Sequence, residues 1–163
     1  MIRDLFPFAE SLLLDANMFV VQVVGECGLP LSGHKPVGDY NRSDFELLSR
    51  TIREFDRSIT TPFIVSEVSG LLNTTGSARV ACRTLLSKLV PEYVEQYDPS
   101  KSLAAHKDIA KYGFADISIE RAAKDTGALV LSADGPLVQM LRSQGITSLH
   151  YKEWKDIANG WSG

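Results

Sequence analysis

Hydrophobic residues along the chain fall into two patterns: short continuous runs, and longer segments in which they recur every three or four positions. The runs at residues 11–14, 128–131 and 146–150 are too short for stable helices and predict buried strands. Residues 93–97 predict a further short strand, and the apolar stretch 18–24 predicts a helix. Strands that alternate with helices predict an α/β fold built on a central parallel sheet.

Caps and breaking residues mark the amphipathic helices. Residues 43–46 read Ser-Asp-Phe-Glu and match a capping box, and apolar residues at 45, 48, 52, 55 and 59 follow at helical spacing. This pattern predicts one helix that reaches Ile59. The same criteria predict a loosely packed tail over residues 154–161, and helices from Ser66 to near Asn73 and over 77–90, 101–111, 116–125 and 136–143.

A stretch rich in glycine and proline separates the first predicted helix from the capped one. Residues 25–41 contain four glycines and two prolines, a composition that is typical of a loop and predicts a mobile insertion. The chain has 163 residues and is 44% hydrophobic, which is enough for one core but not for two full domains. We therefore predict a single domain over residues 1–163, with a longer loop and helix insertion around 25–60.

Charge and cysteine content exclude several classes of protein. The formal net charge of -3 provides no overall attraction to nucleic acid, so any phosphate-binding surface must be local. The longest apolar stretch is too short to cross a bilayer, and we expect no membrane partner. Cys27 and Cys82 form no CxxC pair. They predict two separate reduced thiols, which favours the cytoplasm and argues against structural zinc.

Four acidic residues stand where predicted strands end or predicted helices begin. Asp15 directly follows the strand at 11–14, and Asp134 lies shortly after the strand at 128–131. In open α/β sheets, ligands bind at the carboxyl ends of the strands. Glu67 and Asp116 stand near the starts of two predicted helices. These four side chains are the candidate functional residues.

Four sequence segments resemble motifs of the PIN-domain nucleases, and among those the bacterial VapC-like toxins. They read Leu-Leu-Leu-Asp-Ala-Asn at 12–17, Pro-Phe-Ile-Val-Ser-Glu-Val at 62–68, Ala-Asp-Ile-Ser-Ile-Glu-Arg-Ala-Ala at 115–123 and Leu-Val-Leu-Ser-Ala-Asp at 129–134. Each segment alone is weakly specific. The resemblance rests on their order and on the predicted strand or helix at each, and it extends from about Leu12 to Leu149.

The resemblance implies a three-layer α/β/α PIN-like fold, a cytoplasmic ribonuclease and a site for Mg²⁺ or Mn²⁺. Carried over to this chain, Asp15, Glu67, Asp116 and Asp134 would form the acidic cluster that binds the metal and hydrolyses RNA. Asn17 and Ser132 would be polar supports. For the toxin branch, it also implies an antitoxin protein as a partner and a homodimer.

The chain departs from the family pattern at two places. The span from Asp15 to Glu67 is longer than in compact toxins, which weakens the case for an antitoxin partner. After Asp134 the chain continues Gly135-Pro136, where some family members carry a further acid. The fourth carboxylate would therefore act without an acidic neighbour downstream.

The implied chemistry suits these residue types. Divalent ions can activate a water molecule and stabilise charge on the leaving oxygen during phosphodiester hydrolysis. Mg²⁺ and Mn²⁺ prefer carboxylate and water oxygens to sulfur or imidazole ligands. Without a cation, clustered carboxylates repel one another and at least one pKa is expected to rise.

Simpler interpretations exist for each of these residues. Asp116 would serve as a helix cap, Asp134 as part of a turn, and Glu67 as a favourable acid in a first helical turn. Asn17 and Ser132 would cap a helix or a strand end. Arginines along two predicted helices are either a solvated face or a surface for RNA phosphates, and they are Arg50, Arg53, Arg57, Arg79 and Arg83.

Three other functions compete with the ribonuclease hypothesis. A PIN-like scaffold without activity would bind RNA or a protein partner and cut nothing. A phosphotransfer or receiver-like domain would also place Asp15 at a strand end, but it usually requires a second acid where this chain has Asn17. A structure-specific DNA nuclease would need additional elements that this short chain lacks.

Overall fold

The centre of the protein is a sheet of five parallel strands. The computed structural model describes residues 2–35 and 37–160. Along the sheet the strands stand in the order β3-β2-β1-β4-β5, and each neighbouring pair is parallel. Their bounds are β1 Ser11–Leu14, β2 Arg57–Thr60, β3 Val94–Glu95, β4 Leu129–Ser132 and β5 Ser148–His150.

Helices connect the strands and complete a three-layer α/β/α arrangement, as predicted. The described part of the chain forms nine α-helices: α1 Ile2–Leu5, α2 Ala16–Glu26, α3 Arg42–Arg53, α4 Pro62–Leu71, α5 Arg79–Leu89, α6 Ser100–Leu103, α7 Ile109–Thr126, α8 Gly135–Ser143 and α9 Tyr151–Gly160. Short 3₁₀ turns lie at Leu31–Gly33, Leu72–Ala78 and Val90–Glu92. Within residues 2–35 and 37–160, no helix is long and apolar enough to cross a bilayer.

The strand register decides which residues meet at the carboxyl edge of the sheet. Leu13 in β1 pairs with Ile59 in β2 on one side and with Val130 in β4 on the other. Since all strands run in the same direction, the residues that follow β1, β2, β4 and β5 lie along one edge. Every residue of β1 and β4 is buried, as expected for central strands covered on both faces.

The capped helix is shorter than the sequence predicted, and its cap is a different residue. Asn41 caps α3: its side chain accepts from the Asp44 amide at 3.1 Å, and the Asp44 carboxylate accepts from the Asn41 amide at 2.9 Å. The helix ends at Arg53, so the prediction that it reaches Ile59 was wrong. Ile59 has helical spacing from the earlier apolar residues, but it belongs to β2, where pairing with β1 satisfies its backbone.

The helix predicted to begin at Ser66 in fact begins at Pro62. Thr61 caps α4 by accepting from the Ile64 amide at 3.2 Å, and Pro62 occupies the first helical position, where its missing N–H costs nothing. Glu67 therefore lies in the second turn of α4 and not at the helix start.

The predicted helix over residues 101–111 was wrong. The chain forms the short α6 at Ser100–Leu103 and then enters α7 at Ile109, with a turn between them. Gly113 interrupts α7 with a φ of 83° and a ψ of 174°, a left-handed conformation that favours glycine. The helical segment with Asp116 thus starts after Gly113.

The C-terminal segment is a packed helix and not a loose tail. Trp154 in α9 is fully buried, and its indole Nε1 donates to Thr51 Oγ1 in α3 at 3.0 Å. Lys155 Nζ lies 2.7 Å from the buried Asp44 carboxylate. These contacts bind α9 to α3. Trp161, which the prediction included in the tail, lies outside the described residues.

The glycine- and proline-rich segment after α2 is attached to the core. Leu31, Val37 and Tyr40 are buried, so apolar side chains hold this loop against the domain. Gly25, in the last turn of α2, allows α3 to approach closely, because an added Cβ would lie 2.1 Å from Cδ2 of Phe45. Pro36 lies outside the described residues.

Candidate active site

Asp15 is buried at the centre of the carboxyl edge and is held by three hydrogen bonds. Its Oδ1 accepts from the Met18 amide at 2.9 Å, which caps α2. Its Oδ2 accepts from the Ala133 amide at 3.1 Å and from the Ser132 hydroxyl. Burial raises the pKa of Asp15, while these hydrogen bonds act in the opposite direction.

Ser132 links two of the predicted acids. Its hydroxyl donates to Asp15 and accepts from the Asp134 amide at 2.9 Å. Ser132 is the last residue of β4, the strand beside β1, and it is fully buried. The serine therefore fixes the Asp15 carboxylate relative to the turn that leads to Asp134.

Asp134 is an exposed helix cap. Its Oδ1 accepts from the Leu137 amide at 2.9 Å, and Pro136 follows at the start of α8. One carboxylate oxygen is thus engaged at the helix N-terminus, whereas the simpler interpretation placed Asp134 in a turn. Its charge still contributes to the raised pKa values of Asp116 and Asp15, of which burial is the largest cause.

Asp116 lies three residues beyond the break at Gly113 and is half-buried. Among the described residues, no side chain or amide donates a hydrogen bond to it. Burial raises its pKa to about 7, and repulsion from Asp134, Glu67 and Asp15 contributes in that order. All three of the other predicted acids therefore act electrostatically on Asp116.

Glu67 is exposed, as Asp134 is. It lies on α4, and partial desolvation of its carboxylate raises its pKa. Its place in the second turn of α4 shows that it does not cap the helix.

Two residues that the sequence interpretation missed, Thr61 and Ser118, connect the helices that carry Glu67 and Asp116. Ser118 donates to the Ala115 carbonyl at 2.7 Å, and Thr61 donates to Ser118 Oγ at 2.9 Å. This chain of bonds joins the N-terminus of α4 to the Asp116 segment of α7. A threonine before Pro62 is a recognisable cap signal, but no sequence pattern marks its bond to Ser118.

Tyr40 and His150 also approach the acidic edge, although the sequence interpretation assigned them no role. Burial and the charge of Asp15 raise the pKa of Tyr40. His150 Nε2 lies 3.1 Å from the carbonyl oxygen of Ala133, the residue whose amide binds Asp15. His150 ends β5 as Leu14 ends β1, so the rule that selected Asp15 would have found this edge position too.

Asn17 takes no part in the hydrogen bonds that connect Asp15, Ser132 and Asp134. It is half-buried in the first turn of α2, and its side chain makes no hydrogen bond to another described residue. Asp15 supplies the cap that Asn17 was predicted to provide in the simpler interpretation.

The arginines do not form one surface beside the acids. Arg57 opens β2, at the opposite end of that strand from Thr60, and pairs with Glu10 at 3.5 Å, so its predicted place on the capped helix was wrong. Arg83 donates to the Ser69 carbonyl and to Asn73. Arg79 is exposed at the start of α5.

Arg50 and Arg53 line a cleft of about 660 Å³ between α2 and α3, and none of the four acids lines it.

The four acids suit a metal ion by their chemistry but not by their arrangement. Carboxylate oxygens are suitable ligands for Mg²⁺ or Mn²⁺, and Asp116 has no hydrogen bond with a described group that a cation would have to displace. However, no group of three or more His, Cys, Asp or Glu side chains within the described residues is arranged to hold a metal ion. The acids share an electrostatic field, but their side chains do not converge on one point.

The cysteines lie away from this chemistry. Both are free thiols, Cys82 fully buried and Cys27 partly buried. Burial raises the pKa of Cys27 to about 12, with Cys82 as a contributing neighbour. The two thiols therefore lie close together, and both are free, as the sequence predicted.

Comparison with known proteins identifies no family. No family model matches the chain, and no curated protein matches it. Among solved structures, the chain is similar to a domain of a functionally unknown protein from Methanocaldococcus jannaschii DSM 2661. The two share 20% sequence identity over 87% of this chain and 91% of that chain, with a TM-score of 0.46.

Proposed function

We propose that the protein is a metal-dependent endoribonuclease whose active site is the acidic edge formed by Asp15, Glu67, Asp116 and Asp134. The observation that supports this proposal is the raised pKa of Asp116, about 7, which is caused first by burial and then by repulsion from each of the other three acids. Three carboxylates from distant parts of the chain thus act on the Asp116 side chain. Ionised carboxylates that lie close together repel one another, and a bound cation would reduce this repulsion.

Asp116 and Asp15 are the proposed cation ligands. A bound Mg²⁺ or Mn²⁺ would activate water for attack on a phosphodiester. The Asp116 carboxylate accepts no hydrogen bond from another described residue, so it can turn toward a cation. Asp15 is oriented by Ser132 and by the Ala133 amide, which leaves lone pairs free on its carboxylate. Because the present side chains do not converge on one point, we expect the Asp116 carboxylate to reorient when a cation binds.

The proposed substrate is single-stranded RNA, held with its phosphate against the carboxyl edge of the sheet. The resemblance also predicts membership of the PIN family, an antitoxin partner and a homodimer. These three stay predictions.

The test is cleavage of end-labelled single-stranded RNA in Mn²⁺, in Mg²⁺ and in chelator. Asp116→Asn is the test variant, and Asp125→Asn is the matched control, because Asp125 is an exposed acid near the other end of the same helix. We expect metal-dependent cleavage by the parent and by Asp125→Asn, and none by Asp116→Asn. Cleavage that persists in chelator, or in Asp116→Asn, would contradict the proposal.

A second candidate is a scaffold that binds RNA or a protein without cutting. It is favoured by the engagement of Asp15 and Asp134 as helix caps and by the lack of a convergent ligand group among the described residues. RNA binding without cleavage in either metal would select this function.

A further inference from the structure

Two phenylalanines form a stacked pair beside the acids. Phe63 is the second residue of α4, and Phe114 directly follows Gly113 in α7. Their ring centroids are 6.0 Å apart and the ring planes differ by 13°, which is a parallel, offset arrangement. Phe114 is 41% exposed although it is large and apolar, so one side of the pair is open to solvent.

The pair is fixed in position relative to the candidate catalytic residues. Phe63 lies one helical turn before Glu67 on α4, at a spacing that places both side chains on the same face. Phe114 stands two residues before Asp116. The bond from Thr61 to Ser118 joins the two helices at this point. The aromatic surface and the acids therefore belong to one local framework.

The backbone changes direction at Gly113, immediately before Phe114. The left-handed φ of 83° interrupts α7 at this point. A regular helix through Gly113 would direct the side chains on either side differently.

A lysine, Lys111, stands three positions before Phe114 in the sequence. Lys111 is exposed, and its Nζ lies 4.9 Å from the ring centroid of Tyr112. Residues 111–114 read Lys-Tyr-Gly-Phe, so one positive charge and two aromatic rings occur within four positions. In a chain with a net charge of -3, this is a local site of the kind that single-stranded nucleic acid requires.

We propose that Phe114, supported by Phe63, is a platform on which one base of single-stranded RNA stacks while its phosphate backbone passes Lys111. The proposal rests on the proposed function and specifies its substrate. A flat ring accepts any base, whereas bases in a duplex remain stacked on their neighbours and cannot reach it. The platform would therefore bind unpaired RNA with little preference for its base sequence.

The experiment measures RNA binding in the Asp116→Asn chain, so that cleavage does not interfere. A short single-stranded RNA that carries 2-aminopurine reports stacking by loss of fluorescence, in millimolar Mg²⁺. Phe114→Ala removes the ring, Phe114→Leu keeps apolar volume without a ring, and Phe114→Tyr keeps the ring. Thermal melts of the three variants establish that each is folded.

We expect Ala and Leu to weaken binding about tenfold and to lose the quenching, and Tyr to bind within about twofold of Phe. Duplex RNA of the same sequence should bind weakly to all four chains. If Leu binds and quenches as Phe does, Phe114 is only a packing residue and the proposal is wrong. Equal binding of all variants would also overturn it. Because the readout is binding, a parent chain that cuts no RNA would overturn the ribonuclease proposal alone.

Discussion

The hydroxyl of Ser132 donates a hydrogen bond to the buried carboxylate of Asp15 and accepts one from the amide of Asp134. One small side chain at the end of β4 thereby fixes the residue after β1 and the cap of α8. The central strands and the acidic edge are coupled through this contact.

Ser132→Ala is expected to reduce the free energy of unfolding by about 1–3 kcal/mol, because it leaves buried Asp15 with one donor fewer and the Asp134 amide without its acceptor. Urea denaturation measures the change. Ser148→Ala is the matched control, because Ser148 is a buried strand serine with a single long bond of 3.5 Å to the Val138 carbonyl. Equal losses in the two variants would show that Ser132 contributes nothing beyond an ordinary buried hydroxyl.

The stability of the metal-free protein should fall between acidic and neutral pH because of Asp116. Its folded pKa of about 7 exceeds the ordinary value of 3.8, so the folded state favours the protonated acid. This contribution to the free energy of unfolding is fully present below about pH 4 and is lost as the pH rises through about 7. Above that pH, Asp116 destabilises the folded chain.

Asp116→Asn tests this dependence, because asparagine does not ionise. In chelator at about pH 8, we expect the variant to be more stable than the parent by about 1–2 kcal/mol, a value reduced for the solvent exposure of the half-buried group. Near pH 4 the two should be equally stable. Denaturation curves at several pH values measure this, and a constant difference across the range would contradict the assignment.

Divalent cations should stabilise the parent if the acids bind them. Millimolar Mn²⁺ at neutral pH is expected to raise the Tm of the parent and of Asp125→Asn, and to raise that of Asp116→Asn much less. The reason is that a cation would stabilise the ionised form of Asp116, which burial and then repulsion from the other acids disfavour. Calorimetric melts with and without Mn²⁺ provide the measurement. A Tm that does not respond to Mn²⁺ would count against the metal site and in favour of the scaffold.

Gly25→Ala should destabilise the protein by about 1–3 kcal/mol, since the new Cβ would lie 2.1 Å from Cδ2 of the Phe45 ring and force α2 and α3 apart. Gly70→Ala is the control: Gly70 is a helical glycine in α4 with no atom near the position of an added Cβ. There the substitution should be neutral or stabilise by up to about 1 kcal/mol. The prediction fails if urea denaturation shows the same sign for both variants.

Local sequence patterns were sufficient for the elements whose signals depend on near neighbours. The strand at Ser11–Leu14 was predicted with its observed bounds, and the α/β class followed from the alternation of strands and helices. The acids that follow strands could also be placed at one edge, because parallel strands bring their carboxyl ends together. Asp15 and Asp134 were selected in this way.

Tertiary contacts decided the rest. Ile59 fits a helical pattern as well as a strand, and pairing with Leu13 and Val94 makes it a strand residue. Trp154 belongs to a helix because α3 offers a buried site and the Thr51 hydroxyl. The stacking of Phe63 on Phe114 joins residues that are 51 positions apart in the chain. A single sequence records residue types and local spacing, whereas burial and side-chain partners arise only when distant segments pack.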